Sequence, residues 1–314
     1  MLRIGIDIMG GDYAPEAAVK GAILAHNELK EKAKLVLIGN QDQIHSICEK
    51  SQFDPSLFEI VHTTEVIGMG EHPAKAFSQK PDSSIVVGYN MLMKKEIDGF
   101  ASAGSTGAML VGAMYTVKSI PGIIRPSITA AVPSGNEKPI ILLDVGINPD
   151  CKPDVLYQYA ILGSKYAEYV YKIDNPKVGL LNIGEEEEKG NLLTKATYQA
   201  MKGTRDFNFI GNIEGHDFFN DDKANVIVCD GFVGNVMLKE AEAFYMLVKK
   251  RNMTDEFFEK FNFENYGGTP ILGINDVVII GHGISNDIAI KNMVRHTFDV
   301  IEARLIDKIK EAFK

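Results

Sequence analysis

Residues 99–108 read Gly99-Phe100-Ala101-Ser102-Ala103-Gly104-Ser105-Thr106-Gly107-Ala108, a short apolar run that passes through small residues into the start of a helix. Strand, glycine turn and helix in that order form the repeating unit of a parallel sheet. The same phrase recurs outward in both directions. Segments 4–7, 35–38 and 58–62 before it are short, apolar and β-rich, and so are 140–144, 178–182, 207–210, 226–229 and 277–280 after it. All read as buried strands. Between most of them lie amphipathic stretches such as 17–30, 155–171 and 192–202, which fit helices. The alternation predicts an α/β fold with a mostly parallel sheet covered on both faces.

No repeat or low-complexity tract interrupts this pattern. The stretch most like a boundary is Ile120-Pro121-Gly122, with Ser134-Gly135-Asn136 behind it, but neither has the composition of a flexible linker. A single body over 1–314 is expected. Two segments depart from the alternation. Segment 240–263 carries Phe244, Tyr245, Leu247 and Val248, then Lys249-Lys250-Arg251, then Phe257, Phe258, Phe261 and Phe263. It predicts a helical hairpin with a basic tip, suited to dimerisation and transient membrane contact. One last helix is expected over 285–313.

Hydrophobic residues at 45% and charged residues at 24% give an ordinary globular balance. No window approaches the roughly 18 uninterrupted apolar residues of a membrane span. The opening Met1-Leu2-Arg3-Ile4-Gly5-Ile6-Asp7 begins as a strand, without the pattern of a signal peptide. Three widely spaced cysteines, Cys48, Cys151 and Cys229, suit a reducing compartment. A cytoplasmic protein is expected, with peripheral contact at the inner face of the membrane. The net charge of -9 disfavours nucleic acid as a partner but leaves room for a local basic patch.

Ligands of open α/β sheets sit beyond the carboxyl ends of the strands. Here those ends run into small-residue turns: Asp7-Ile8-Met9-Gly10-Gly11-Asp12, the 102–108 turn, Asp144-Val145-Gly146-Ile147-Asn148, Asn182-Ile183-Gly184, Asp230-Gly231-Phe232-Val233-Gly234-Asn235, and Gly281-His282-Gly283. One such turn usually serves only tight packing. Several at once, with hydroxyl and amide side chains in them, favour a site of backbone N–H donors for an anion, above all phosphate. The phosphate- or substrate-binding candidates are Gly10, Gly11, Asp12, Ser102, Gly104, Ser105, Thr106, Gly107, Asn148, Asn182, Gly184, Gly234 and His282. No Walker motif, no dinucleotide fingerprint and no serine-hydrolase elbow occurs.

The seven histidines show no metal-ligand spacing. The run Glu185-Glu186-Glu187-Glu188 reads as a solvated first helical turn at the positive end of a helix dipole. Lys189 closes the run as a cation whose charge the neighbouring acids would hold. Cys229, ending an apolar strand, reads as a buried inert thiol. His282 reads equally as a substrate contact and as a structural turn residue.

These turns resemble, nearly end to end, the bacterial phosphate acyltransferase family of phospholipid synthesis. The resemblance covers 7–15, 102–108 and 144–148, then Leu180-Leu181-Asn182-Ile183-Gly184 through Lys189-Gly190-Asn191. It continues in Gly211-Asn212-Ile213-Glu214-Gly215, 229–235 with Leu238-Lys239, and Tyr266-Gly267-Gly268 to Gly283. It implies a three-layer α/β/α fold like that of phosphotransacetylases and isocitrate-dehydrogenase-like enzymes. It also implies a homodimer, neither metal nor cofactor, and a product passed to a membrane glycerol-phosphate acyltransferase. Two departures stand out. Ser105 takes the place of the family's usual Asn, and Ser78 stands where Arg is common, leaving Lys75 and Lys80 as the nearby cations.

The expected reaction joins inorganic phosphate to the acyl group of an acyl carrier protein thioester. N–H groups of the 102–107 turn hold phosphate, Lys189 supplies a point charge and Asn235 donates to the oxyanion. Lys189 and Asn235 are the expected catalytic residues. The acidic carrier protein is expected on a basic patch of Lys75, Lys80, Lys118 and Arg125. The same residues admit a phosphotransacetylase-type enzyme acting on acyl-CoA, or a non-catalytic phosphate-binding protein. A nicotinamide dehydrogenase has little support.

Overall fold

The computed structural model describes residues 1–253 and 255–314; Thr254, inside the segment expected to form a hairpin, lies outside them. The strands are β1 Leu2–Asp7, β2 Ala33–Gly39, β3 Glu59–His62, β4 Gly99–Ser102, β5 Ser127–Val132, β6 Ile140–Leu143, β7 Lys177–Leu181, β8 Asn208–Ile213, β9 Val226–Val228, β10 Thr269–Leu272 and β11 Val277–Ile280. The helices are α1 Glu16–Leu29, α2 Gln41–Lys50, α3 Pro73–Gln79, α4 Ser84–Met93, α5 Thr106–Gly112, α6 Pro153–Tyr169, α7 Leu192–Met201, α8 Gly231–Lys250, α9 Glu256–Glu259, α10 Asp287–Glu302 and α11 Leu305–Ala312.

The chain forms two compact units, Met1–Ser119 with Phe263–Glu302, and Ile120–Asn262 with Ala303–Lys314. In the first, the strand order is β3-β2-β1-β4-β11-β10. All pairs are parallel except β10 with β11. Strand periodicity sends Ile4 and Ile6 to one face, where they share a core with Ala18 and Val19 of α1 and Val294 and Phe298 of α10. The other face belongs to α4, whose Gly88 lets the ring of Phe100 seat against the helix. The second unit has the order β5-β6-β9-β7-β8, with only β5–β6 antiparallel. Leu142 and Ile227 pack towards Met237 and Ala241 of α8, while Leu143 and Val226 meet Gly163 of α6. Each unit is therefore helix, sheet, helix. The predicted α/β architecture with a mostly parallel sheet is the one found.

The sequence reading passes over two strands, and both run antiparallel. β10 is Thr-Pro-Ile-Leu and β5 is Ser-Ile-Thr-Ala-Ala-Val, so neither is a continuous run of strongly apolar residues. The last helix is two helices. Arg304 adopts a left-handed φ of 51° between α10 and α11, which breaks the helical ladder where the chain passes from one unit to the other. The acidic run 185–188 is a turn and not a first helical turn, because α7 starts only at Leu192, where Asn191 caps it by accepting from Thr194 N.

Candidate active site

In the first unit three of the expected turns meet at the carboxyl end of β1, β4 and β11. Gly10 lies so close to the next turn that a Cβ there would sit 2.7 Å from Gly104 N and 2.8 Å from Gly104 Cα. Only glycine permits that approach. Asp12 N donates to Gly283 O at 2.8 Å, and Gly281 N donates to Ser102 O at 2.8 Å, tying the His282 turn to both neighbours. At the centre lies Asp7, 1% exposed, a residue the sequence reading left out of the site. Its Oδ2 accepts from Ser102 Oγ at 2.6 Å and its Oδ1 from Met9 N at 2.9 Å. Burial pushes its carboxyl above the ordinary range, against the pull of these hydrogen bonds.

Ser105 is 4% exposed, and its Oγ accepts from Ala108 N as the N-cap of α5. That leaves the exposed Thr106 and the half-buried Gly107 to present the first N–H groups of the helix. Pro73 of α3 sits directly against Gly107. His282 packs its ring on Phe263, with 5.0 Å between centroids, and its carbonyl accepts from Ser285 N and Oγ.

In the second unit the 144–148 and 230–235 turns interlock. Asp144, fully buried, accepts from Ser127 Oγ, Ile128 N and Asn148 N. Burial raises this carboxyl too. Gly231 N donates to Asn148 O at 2.8 Å, and a Cβ on Gly234 would collide with the carbonyl oxygen of Asp144. Asn148 is 8% exposed and its amide donates to Pro126 O at 2.8 Å, so its side chain holds the turn. Asn235, one residue beyond Gly234, is exposed. Its amide lies over Gly146 and has no hydrogen-bond partner among the described residues.

Asn182 bridges its own turn, with Oδ1 accepting from Ile183 N and Nδ2 donating to Lys189 O at 3.2 Å. The stem of Lys189 crosses the buried Gly184, placing a Cβ there 2.8 Å from Lys189 Cγ. The neighbouring acids do not hold this lysine. Glu185 pairs with Lys223, and Glu187 pairs with Lys202 at 2.6 Å and Gln199 at 2.6 Å. Lys189 is exposed with no ion pair among the described residues. Between these turns and α6 opens a cavity of about 320 Å3, lined by Asn182, Gly190 and Asn191 on one side and Cys229, Asp230 and Val233 on the other. Cys229 is 4% exposed and burial pushes its thiol well up, as an inert thiol requires.

Of the four expected docking cations, Lys80 pairs with Glu71 at 2.6 Å and Arg125 donates to Asp150 O at 3.0 Å. Lys75 and Lys118 are exposed and without ion pairs among the described residues. In the aromatic segment, Phe257 and Phe258 are half-buried against Phe261 and Phe244, and Lys249 pairs with Glu259 at 3.0 Å. The exposed apolar side chains there are Phe244, Met246, Leu247 and Met253.

Residues 2–308 match the family described as "Fatty acid synthesis protein". The phosphate acyltransferase of Dictyoglomus turgidum is 42% identical over 329 residues, covering 99% of this chain and 97% of that protein. The phosphate acyltransferase of Desulfitobacterium hafniense is 41% identical over 329 residues, with coverage of 99% and 97%. Among solved structures, a phosphotransacetylase from Streptococcus pyogenes superposes with a TM-score of 0.66 at 17% identity, covering 98% of this chain and 94% of that one. EutD phosphotransacetylase from Staphylococcus aureus gives 0.64 at 16% identity, covering 96% and 94%. These two likenesses establish a phosphotransacetylase-like fold. The full-length match establishes the lineage: the chain belongs to the fatty acid synthesis protein family.

Proposed function

We propose that this protein is a phosphate acyltransferase that moves a fatty acyl group from acyl carrier protein to inorganic phosphate. The observation that carries the reading is in the second unit: Gly190 and Asn191, next to Lys189, and Asp230 and Val233, at the start of the helix that bears Asn235, line one mainly apolar cavity, and Lys189 and Asn235 are exposed and unpaired among the described residues. A phosphate oxygen attacks the thioester carbonyl, the C–O bond forms, and the carbonyl oxygen becomes an oxyanion. The C–S bond then breaks, and the thiolate, whose conjugate acid has an intrinsic pKa near ~8.5, leaves and takes a proton from solvent. Asn235 donates to the oxyanion, and Lys189 offsets the charge of the phosphate. Phosphate is already anionic, so no strong base is required.

Thiol release from purified acyl carrier protein thioester tests this reading. Release should depend on phosphate and survive EDTA. Equal release without phosphate would mean a thioesterase, and preference for acyl-CoA would mean a phosphotransacetylase-type enzyme. Binding of phosphate without release would leave a phosphate-binding protein.

For the homodimer and peripheral membrane contact expected of the 240–263 segment, the surface proposed is exposed Phe244, Met246 and Leu247 of α8, since Phe257 and Phe258 are half-buried. No helix among the described residues is long and apolar enough to cross a membrane. Phe244→Ser with Leu247→Ser should weaken self-association in sedimentation or binding to anionic vesicles; no change in either removes this surface from the assignment. A membrane glycerol-phosphate acyltransferase is the proposed consumer of the acyl phosphate.

A further inference from the structure

The cavity of the second unit has a directional chemistry. Its mouth is formed by Ile183, 78% exposed, and Val233, 37% exposed, beside the turns that carry Lys189 and Asn235. Its depth is formed by Leu156 and Leu180, which are 1% and 0% exposed, with Met237 along the wall. A volume of about 320 Å3 lies at the small end of the ~300–1,000 Å3 usual for small-molecule sites.

The polar residues of the lining are largely engaged with one another. Asn182 uses both ends of its amide on Ile183 N and Lys189 O. Asn191 Oδ1 accepts from Thr194 N, Thr194 Oγ1 donates to Asn191 O, and Asp230 Oδ1 accepts from Val233 N. Among the side-chain atoms of the lining, Asn191 Nδ2 and one oxygen of Asp230 make no hydrogen bond with the described residues. They are too few to satisfy the amide-rich arm of phosphopantetheine, whose unpaired groups would be costly to bury. A hydrocarbon chain makes no such demand and gains from every apolar contact.

We infer that this cavity receives the hydrocarbon end of the acyl group, and that Met237 and the Leu156–Leu180 floor set the chain length the enzyme prefers. The inference rests on the acyl-transfer reading and adds to it a specificity site. The reacting carbonyl stays at the mouth, near the Lys189 and Asn235 turns, while the methyl end points towards Leu156. Each methylene withdrawn from water is worth a factor of about 4 in binding. A chain that reaches the floor is therefore favoured steeply over one that stops short, and a chain too long must leave methylenes outside.

Met237 is half-buried, so a larger or a smaller residue there can be accommodated without emptying the core. The experiment measures kcat/KM for phosphate-dependent thiol release over saturated thioesters from octanoyl to stearoyl, with wild type, Met237→Trp and Met237→Ala. Met237→Trp should lower the palmitoyl-to-octanoyl ratio by about tenfold or more, the equivalent of about two displaced methylenes. Met237→Ala should move the preference towards longer chains. Folding is checked by thermal melting, and if the Trp variant does not fold the Ala variant decides alone. An unchanged ratio, or an equal loss at every length, overturns the inference while wild-type release keeps the acyl-transfer reading intact. Direct binding of a polarity-sensitive fluorescent fatty acid separates the two ideas further. If wild type releases no thiol from any thioester, the acyl-transfer reading falls; binding that Met237→Trp weakens would then still support an aliphatic site, and no binding would remove it.

Discussion

Ser102 Oγ donates to Asp7 Oδ2 at 2.6 Å and in turn accepts from Gly104 N at 2.9 Å, so one hydroxyl joins the end of β1 to the turn after β4. Both residues are buried. Ser102→Ala would strand a carboxyl oxygen and an N–H at once, and should cost about 1–3 kcal/mol of stability in chemical denaturation. An unchanged midpoint would mean that water replaces the hydroxyl.

The Asp7 carboxyl also predicts a pH effect. Its folded pKa lies above the ordinary 3.8 because burial disfavours its charge. Between the unfolded and folded values the folded state holds the extra proton. The stabilisation is complete below the unfolded pKa and is lost as pH rises through the folded one. Asp7→Asn cannot titrate. The stability of wild type minus that of Asp7→Asn should therefore fall as pH rises from about 3.8. A difference that rises with pH would place the folded pKa below the ordinary value.

Lys189 and Asn235 are exposed and unpaired among the described residues, so their removal should spare the fold and damage the chemistry. Lys189→Ala should lower turnover roughly 10- to 100-fold, the equivalent of a charged hydrogen bond of ~1.5–3 kcal/mol, and raise the phosphate requirement. Asn235→Ala should lower turnover about 100- to 1,000-fold, as losing an oxyanion donor does. Melting temperatures should stay near wild type in both. Near-normal turnover in a folded variant removes that residue from the mechanism, whereas a lowered melting point with normal turnover makes it structural.

Gly234 behaves differently although it neighbours Asn235. A methyl group there meets backbone, the Asp144 carbonyl, which cannot swing away like a flexible side chain. Gly234→Ala should destabilise by about 3 kcal/mol or more, or give insoluble protein. A stable variant with ordinary activity would show that α8 can shift at its first turn.

Carrier-protein docking through charge predicts that activity at low carrier concentration falls as salt is raised. Lys75→Glu and Lys118→Glu should weaken both activity and salt dependence, because these cations are exposed and lack ion pairs among the described residues. Lys80 is held by Glu71 and the Val66 carbonyl, so Lys80→Glu should disturb local stability more than docking. A flat salt profile would favour apolar docking.

The sequence by itself determined what depends on local pattern. Apolar runs ending in glycine turns predicted the parallel strands and the places where turns gather, because a strand's burial and a tight turn's steric needs are written in a few adjacent residues. The ordered turn strings also carried the family resemblance. Tertiary structure decided which of those turn side chains are free. Ser105, Asn148 and Lys80 look as available in sequence as Asn235 and Lys189, but the first three are occupied by a helix cap, the Pro126 carbonyl and Glu71. The partner of Glu185, Lys223, is 38 residues away, and no neighbouring residue announces it. The antiparallel β5 and β10 take their place from strand pairing and not from a strong apolar run of their own. The cavity is likewise a product of folding: Leu156, Leu180, Val233 and Met237 come from α6, β7 and α8, and their shared apolar surface exists only once those elements pack. Hydrogen-bond satisfaction and enclosed volume are properties of neighbours in space, and the chain acquires those neighbours only by folding.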